Sequence, residues 1–267
     1  MINLDSDKIL NTEISSSKGD QLKWFNNNVW YKADKNGYEG LSEYVISKLL
    51  KKTSLDKNEY VDYELESVKY KNQIYNGCKS NNFLNDNESI ITLEKLYRNT
   101  YGTSLTNKLI EFDSYKNKAT YLVNEVEKIT GLDNFGSYLY KILVIDALFL
   151  NEDRHLHNIA VIKRKNSYDY CPIFDNGAAL LSDINIDYPL KNNVIEYIKD
   201  VKAKTIGPDF IEAYEDVEGI FGSRIEFNFT SDDVDRLVDK ASMYEEKVRK
   251  RVKQLIKYQM NKMKYFF

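Results

Sequence analysis

The chain has 267 residues, 42% hydrophobic and 30% charged, with 38 Lys plus Arg against 41 Asp plus Glu for a net charge of -3. That composition buries a full core in one bilobal unit or two small domains, which excludes a disordered polymer, and the near balance of charge gives no global field drawing it to nucleic acid. No apolar run approaches the roughly 20 residues of a membrane-spanning helix, and the polar start from Met1 to Lys8 has no signal-peptide core, so a cytoplasmic protein is the expectation, with export without a cleaved signal left open.

The first chemical feature in chain order is Ser15-Ser-Ser-Lys-Gly-Asp20. The small side chains of Ser15, Ser16, Ser17 and Gly19, with Lys18 between them, permit close backbone approach, and their N–H groups suit a phosphate cradle. Gly19 to Phe25 and Asn28 to Lys32 read as aromatic and β-branched strands joined by a turn at Asn26-Asn27. Tyr38 to Leu50 follows as a helix, with Leu41, Tyr44, Val45 and Leu49 at helical spacing. Tyr60 to Tyr75 returns to strand character, and the order is strand, strand, helix, strands.

Two stretches follow these strands, Tyr75 to Phe83 and Ile90 to Leu96, and in the second an apolar strand runs into a helix-like segment that carries Thr92 and Glu94. The second half of the chain reads as mostly helical. Phe135 to Leu150 carries Phe135, Leu139, Ile142, Leu143 and Leu148 at helical spacing, with Asp133 or Asn134 as N-cap.

That helix feeds Asn151-Glu-Asp-Arg-His-Leu-His-Asn158, the most informative stretch of the chain. Asp153 is a carboxylate with an amide, Asn158, five positions on. A second carboxylate, Asp175, comes after a β-hairpin whose arms are Ile159 to Ile162 and Tyr168 to Phe174, with Lys163 to Ser167 as the polar turn. A hairpin returns its two ends to one place, so Asn158 and Asp175 can share a metal ion beside Asp153. Hard oxygen ligands of this kind suit magnesium held jointly with nucleotide phosphates. Asp153 is a carboxylate of the type that orients an attacking hydroxyl and accepts its proton. The alternative, a metal-hydrolase cluster of Asp153, His155 and His157, calls for further imidazoles, and the chain has two histidines in all.

Toward the C-terminus, Thr230-Ser-Asp-Asp-Val opens what reads as one long helix, with the stripe Val234, Leu237, Val238, Ala241, Val248, Val252 and Leu255. Its basic run from Lys247 to Lys264 reads as the solvated face of a core-packed helix. Cys78 and Cys171 are too few and too far apart for a disulfide framework and read as reduced packing residues.

Asp-Arg-His-x-x-Asn followed by Phe-Asp-x-Gly, here Asp153 to Asn158 and Phe174 to Gly177, resembles the HipA-like serine/threonine kinases and, more distantly, the phosphatidylinositol kinases. Ordinary protein kinases keep the same Asp-to-Asn spacing in His-Arg-Asp-x-x-x-x-Asn. The resemblance runs from the loop near Ser15 to about residue 225, and the multi-glycine nucleotide loop of ordinary protein kinases is absent. It implies an α/β (α+β) fold of protein-kinase type in two lobes, a strand-rich lobe over residues 1–97 and a helical lobe over residues 98–267. It implies ATP and Mg2+ as cofactors and a protein as substrate, phosphorylated on Ser or Thr, with the base bound at a connection after the strands, either Tyr75 to Phe83 or, favoured, Ile90 to Leu96 with Thr92 and Glu94. It also implies that Arg154 and His155 hold the catalytic loop, and that Lys32 contacts the α- and β-phosphates while paired with an acid, Glu43 or its rival Glu39. By the same resemblance Ser15, Ser16 or Ser17 is an autophosphorylation site. Full-length HipA carries a further N-terminal subdomain, and contacts of that part, including those to a DNA-binding antitoxin, are not carried over by the resemblance. The alternatives are a nucleotide-binding pseudokinase acting as an interaction module, and a kinase of phosphatidylinositol or a small molecule.

Overall fold

The computed structural model describes residues 1–4, 21–190, 193–222 and 224–267. The loop from Ser15 to Gly19 lies outside the described residues. The N-terminal part is built from strands β1 (Ile2–Asn3), β2 (Lys23–Asn26) and β3 (Val29–Ala33), helix α1 (Glu39–Leu50), and strands β4 (Glu64–Leu65), β5 (Val68–Tyr70), β6 (Gln73–Tyr75) and β7 (Gly77–Asn81). Among the described residues β2, β3, β7 and β4 form one antiparallel sheet in that order, and β1, β5 and β6 form a second. Leu4, Trp24, Tyr31, Ala33 and Val68 fill the core of this part.

The turn between β2 and β3 lies one residue later than the sequence reading placed it. Asn26 pairs with Val29, and Asn27 and Asn28 make a two-residue turn with φ of 49° and 63°. Positive φ at both positions is the geometry that matches strand twist, and Asn tolerates it. The shift sets the register so that Lys23 lies directly opposite Lys32.

α1 is buried along nearly its whole length. It approaches the sheet at Gly40, where a Cβ would sit 2.6 Å from the Gly77 backbone, so backbone packs on backbone. The first turn of α1 is closed by Glu39, whose carboxylate accepts from the N–H of Asn36 at 2.7 Å and of Gly37 at 3.1 Å.

Strand β8 (Ser89–Thr92) leads into α2 (Leu93–Tyr101), α3 (Leu105–Ile110), α4 (Tyr115–Thr130) and α5 (Phe135–Phe149). β9 (Ala160–Lys163) and β10 (Tyr168–Tyr170) form the expected hairpin, with Lys163 opposite Tyr168, and β8 pairs with the other edge of β9. The N-cap of α5 differs from expectation. Asn134 occupies the position with φ of 64° and makes no side-chain cap bond; Glu127 of α4 instead accepts from the Phe135 N–H at 2.7 Å.

α6 (Phe210–Phe221), α7 (Ser231–Asp239) and α8 (Glu246–Lys262) complete the helical part. The single long C-terminal helix of the sequence reading is two helices. The stripe turns at residues 240–245, where the Tyr244 hydroxyl donates to Asp34 Oδ2 at 2.7 Å and the Met243 carbonyl accepts from Asn76 Nδ2 at 3.1 Å. A continuous helix would carry both away from the strand part. α8 buries Val248, Val252, Leu255 and Ile256, and on its basic face Lys253 and Lys257 pair with Asp239 and Asp235 of α7. Cys78 and Cys171 are buried and free, both in a small cluster with Val61, Tyr63, Ala160, Ile162 and Phe174 that joins the main sheet to the hairpin. No helix among the described residues is long and apolar enough to cross a membrane.

Candidate active site

The catalytic-type loop is positioned by Arg154. Its guanidinium is 1% exposed and has a full set of acceptors: Asp146 of α5 at 3.1 Å, the Asn158 carbonyl at 3.1 Å, the Phe174 carbonyl, and Asn176 Oδ1 at 2.6 Å. One planar fork thus ties α5, the loop and the segment after the hairpin together, a geometry that Lys cannot reproduce. Burial disfavours the charge, but the adjacent Asp146 carboxylate outweighs it and raises the Arg154 pKa above its ordinary value. Arg154 is therefore a positioning residue.

Within the loop the His155 N–H donates to the Asp153 carbonyl at 2.9 Å and the Asn158 N–H to the His155 carbonyl at 2.8 Å. Asn158 Nδ2 also donates to the Asp153 carbonyl at 2.9 Å, which leaves its Oδ1 as the outward acceptor. Asn158 Oδ1 and Asp175 Oδ2 are both buried and make no hydrogen bond among the described residues. Asp153, Asn158, Asp175 and Asp183 all line one cavity of about 40 Å³. Two orphaned hard oxygens, one of them anionic, at a cavity of that size fit a small divalent cation. Asp175 sits at φ of 60°, a left-handed conformation uncommon for residues other than Gly, though Asn and Asp adopt it more readily than most.

Lys32 and Glu43 form an ion pair, and Glu43 is fully buried. Lys32 Nζ also lies 2.8 Å from Asp175 Oδ1, and Glu43 Oε2 accepts from the Asn176 N–H at 2.9 Å. Glu39 is held in the cap of α1, which settles the choice of partner. Burial would depress the Lys32 ammonium, but Asp175 and Glu43 raise it well above its ordinary value. Burial would likewise raise Asp175, yet Lys23, Lys32 and Arg154 hold it well below the usual carboxylate range.

A second cavity of about 80 Å³ adjoins Lys32 and Asp175 and is walled by Trp30, Val61, Tyr63, Ser80, Phe83, Ile90 and Phe174. An apolar slot with cations at one end suits a planar ring carrying anionic groups. Ile90 lines the slot, but so do Ser80 and Phe83, so both candidate stretches contribute. Thr92 and Glu94 do not reach it. Thr92 caps α2 by accepting from the Lys95 N–H at 3.3 Å, and Glu94 is buried beneath the chain, accepting from Thr106 at 2.9 Å and pairing with Arg98 at 3.0 Å. The polar side chains that read as base contacts serve the helix start instead.

His155 Nε2 lies 3.9 Å from Asp153 Oδ1. Burial first, with His157 and Lys204, lowers its pKa despite Asp153. The sequence reading missed Lys23, which lies 3.7 Å from Asp175, and Lys204, which lies 3.2 Å from Asp153. The cross-strand register gives a signal for Lys23 once the turn is placed at Asn27-Asn28; nothing local marks Lys204.

No family model and no curated protein matches the chain. Among solved structures, the chain is similar to the Helicobacter pylori proinflammatory kinase CtkA, with a TM-score of 0.62 and 16% identity over 97% of this chain and 94% of that one. This chain has a protein-kinase-like fold. The strands of its N-terminal part and the helices of the remainder correspond to the two lobes of that fold. Weaker likenesses are to Shewanella oneidensis HipA in complex with HipB and operator DNA, at a TM-score of 0.41 and 13% identity over 95% of this chain and 67% of that one, and to a mutant of the Neurospora crassa PAN3 pseudokinase, at 0.35 and 12% over 96% and 58%.

Proposed function

We propose that this kinase-like chain is an ATP-dependent serine/threonine protein kinase. The observation that carries the reading is the pair of orphaned oxygens, Asn158 Oδ1 and Asp175 Oδ2, at the cavity that Asp153 also lines. Asn158 and Asp175 hold magnesium, which when bound neutralises phosphate charge and aligns the phosphates. Lys32, fixed by Glu43, and Lys23 present positive charge to the phosphates, and the slot between Trp30 and Phe174 takes the base. Asp153 orients the acceptor hydroxyl and accepts its proton. The strand-rich lobe extends to about residue 97 and the helical lobe over residues 98–267, with ATP between them. The resemblance of the Asp153 to Asn158 motif to HipA-like kinases supports a protein acceptor and an autophosphorylation site among Ser15, Ser16 and Ser17.

The test is incubation of the purified protein with magnesium and γ-labelled ATP, beside Asp153→Asn and Asp175→Asn, with mass mapping of the phosphate. Label in the wild type alone, with both variants dark, is the expected result. Nucleotide binding without Asp153-dependent transfer to itself or to any supplied acceptor would replace the enzyme with a pseudokinase.

A further inference from the structure

Phosphoryl transfer needs a positive charge on the transferring group where the acceptor attacks, and the loop that carries Asp153 does not supply one. Arg154 is buried and committed to Asp146, Asn158, Phe174 and Asn176. His155 presents an imidazole rather than a fixed cation, with Nε2 3.9 Å from Asp153 Oδ1. Lys23 and Lys32 lie at Asp175, where the phosphotransfer reading sets them against the nucleotide phosphates rather than beside Asp153.

Lys204 comes from a different segment, about fifty residues on, and its ammonium lies 3.2 Å from Asp153 Oδ1. Its placement is built in. Residues 201–205 alternate between buried and exposed, with Val201, Ala203 and Thr205 inward and Lys202 and Lys204 outward. The Thr205 hydroxyl donates to the Arg154 carbonyl at 2.6 Å, so the segment is tied to the catalytic-type loop next to Asp153 itself. The Ala203 N–H donates to the Pro208 carbonyl at 3.0 Å, closing the segment on itself. Gly207 then packs so closely on the Tyr115 ring that a Cβ would sit 2.1 Å from it. With its backbone fixed on both sides, the Lys204 side chain, 40% exposed, spans from Asp153 to a separate open cavity of about 250 Å³ that His155, Leu109 and Ile206 also line.

From this geometry we infer that Lys204 is a catalytic residue, delivered from the 201–208 segment, that holds the transferring phosphoryl group against the hydroxyl oriented by Asp153. The inference rests on the phosphotransfer reading above. In the step, the acceptor oxygen forms a bond to the γ-phosphorus and the bond from that phosphorus to the β,γ-bridging oxygen breaks. Its electron pair leaves with ADP, and the hydroxyl proton passes to Asp153. Lys204 stays protonated throughout and offsets the negative charge on the γ-oxygens. Thr205 acts through Lys204 and is a positioning residue.

The experiment measures magnesium-dependent ATP hydrolysis and transfer to casein by the full chain, with Lys204→Ala, Lys204→Arg, Thr205→Val, Asp153→Asn and, as an exposed neighbour outside the site, Lys202→Ala. Lys204→Ala is expected to lower kcat about a hundredfold, with the KM for ATP and the affinity for a fluorescent ATP analogue little changed, as for the loss of one preorganised charge-stabilising donor. Lys204→Arg should restore part of the lost kcat, Thr205→Val should lower kcat less than Lys204→Ala, and Lys202→Ala should match the wild type. Lys204→Ala turnover equal to or above wild type, with Asp153→Asn inactive, overturns the Lys204 role alone. A raised KM with unchanged kcat also overturns it, since the lysine would then only bind nucleotide. A wild type without Asp153-dependent turnover on either readout overturns the kinase reading and the Lys204 role with it.

Discussion

The Asp146 carboxylate of α5 and the Arg154 guanidinium of the catalytic-type loop meet at 3.1 Å in the interior of the helical part, both almost wholly buried. Asp146 also accepts from Asn151 Nδ2 at 3.0 Å, so one carboxylate orders both the entry to the loop and its central arginine. Removing one member of such a pair leaves an uncompensated buried charge. Asp146→Ala is expected to destabilise the fold by about 3–5 kcal/mol, measured by urea unfolding, and to lower turnover even where the protein stays folded. A change below about 1 kcal/mol would show that the loop does not depend on this pair.

Lys32 and Glu43 are coupled through Asp175 and the Asn176 N–H. Lys32→Met leaves two buried carboxylates facing a lost cation, whereas Glu43→Gln leaves Lys32 with Asp175. Lys32→Met is therefore expected to be the more destabilising change and to weaken binding of a fluorescent ATP analogue more. The double mutant should fall short of the sum by about 1–3 kcal/mol, because the second change removes a charge already unpaired. Strict additivity in unfolding measurements would refute the coupling.

Asp34, at the end of β3, accepts from the Gly40 N–H at 2.6 Å and from the Tyr244 hydroxyl at 2.7 Å. Burial, then Glu39, pushes its pKa up to about 8, against the lowering effect of those two hydrogen bonds. The unfolded chain gives up this proton at about pH 4. The folded state thus holds more proton between these values. Its contribution to stability is full below about pH 4 and is lost as pH rises toward 8. Asp34→Asn has no such proton to lose and keeps hydrogen-bonding capacity on both sides. Wild type should lose stability relative to Asp34→Asn from pH 5 to pH 8.5 in urea titrations, and parallel curves would refute the assignment.

Thr230 and Asp233 form a reciprocal capping box at the start of α7, with the Asp233 N–H to Thr230 Oγ1 at 3.3 Å and the Thr230 N–H to Asp233 Oδ2 at 3.0 Å. Thr230→Ala is expected to cost about 1 kcal/mol, read as a lowered Tm, while Thr230→Ser should retain most of the stability. A Thr230→Ala Tm equal to wild type would mean that tertiary packing alone sets this helix start.

The sequence by itself determined the strand, strand, helix, strand order and a hairpin between Ile159 and Phe174, which the fold pairs only from Ala160 to Tyr170, because both are governed by side-chain periodicity or turn chemistry within a few residues; the loop from Asp153 to Asn158 was legible as a motif. The hairpin is also why Asn158 and Asp175 could be assigned to one place: the length of the excursion is local information. The tertiary structure decided what lies across from them. Asp146 and Lys204 reach the loop from a different helix and from a segment about fifty residues on, and no periodicity records where an element docks. It also broke the C-terminal stripe into α7 and α8, since an apolar stripe states that a face is buried but not that Tyr244 must turn back to Asp34. Thr92 and Glu94 lie in the stretch favoured for base binding, and packing puts both to use in starting and bracing α2. Local sequence fixes conformation and chemistry over short spans, while partners brought from afar are chosen by burial and hydrogen-bond satisfaction over the whole fold.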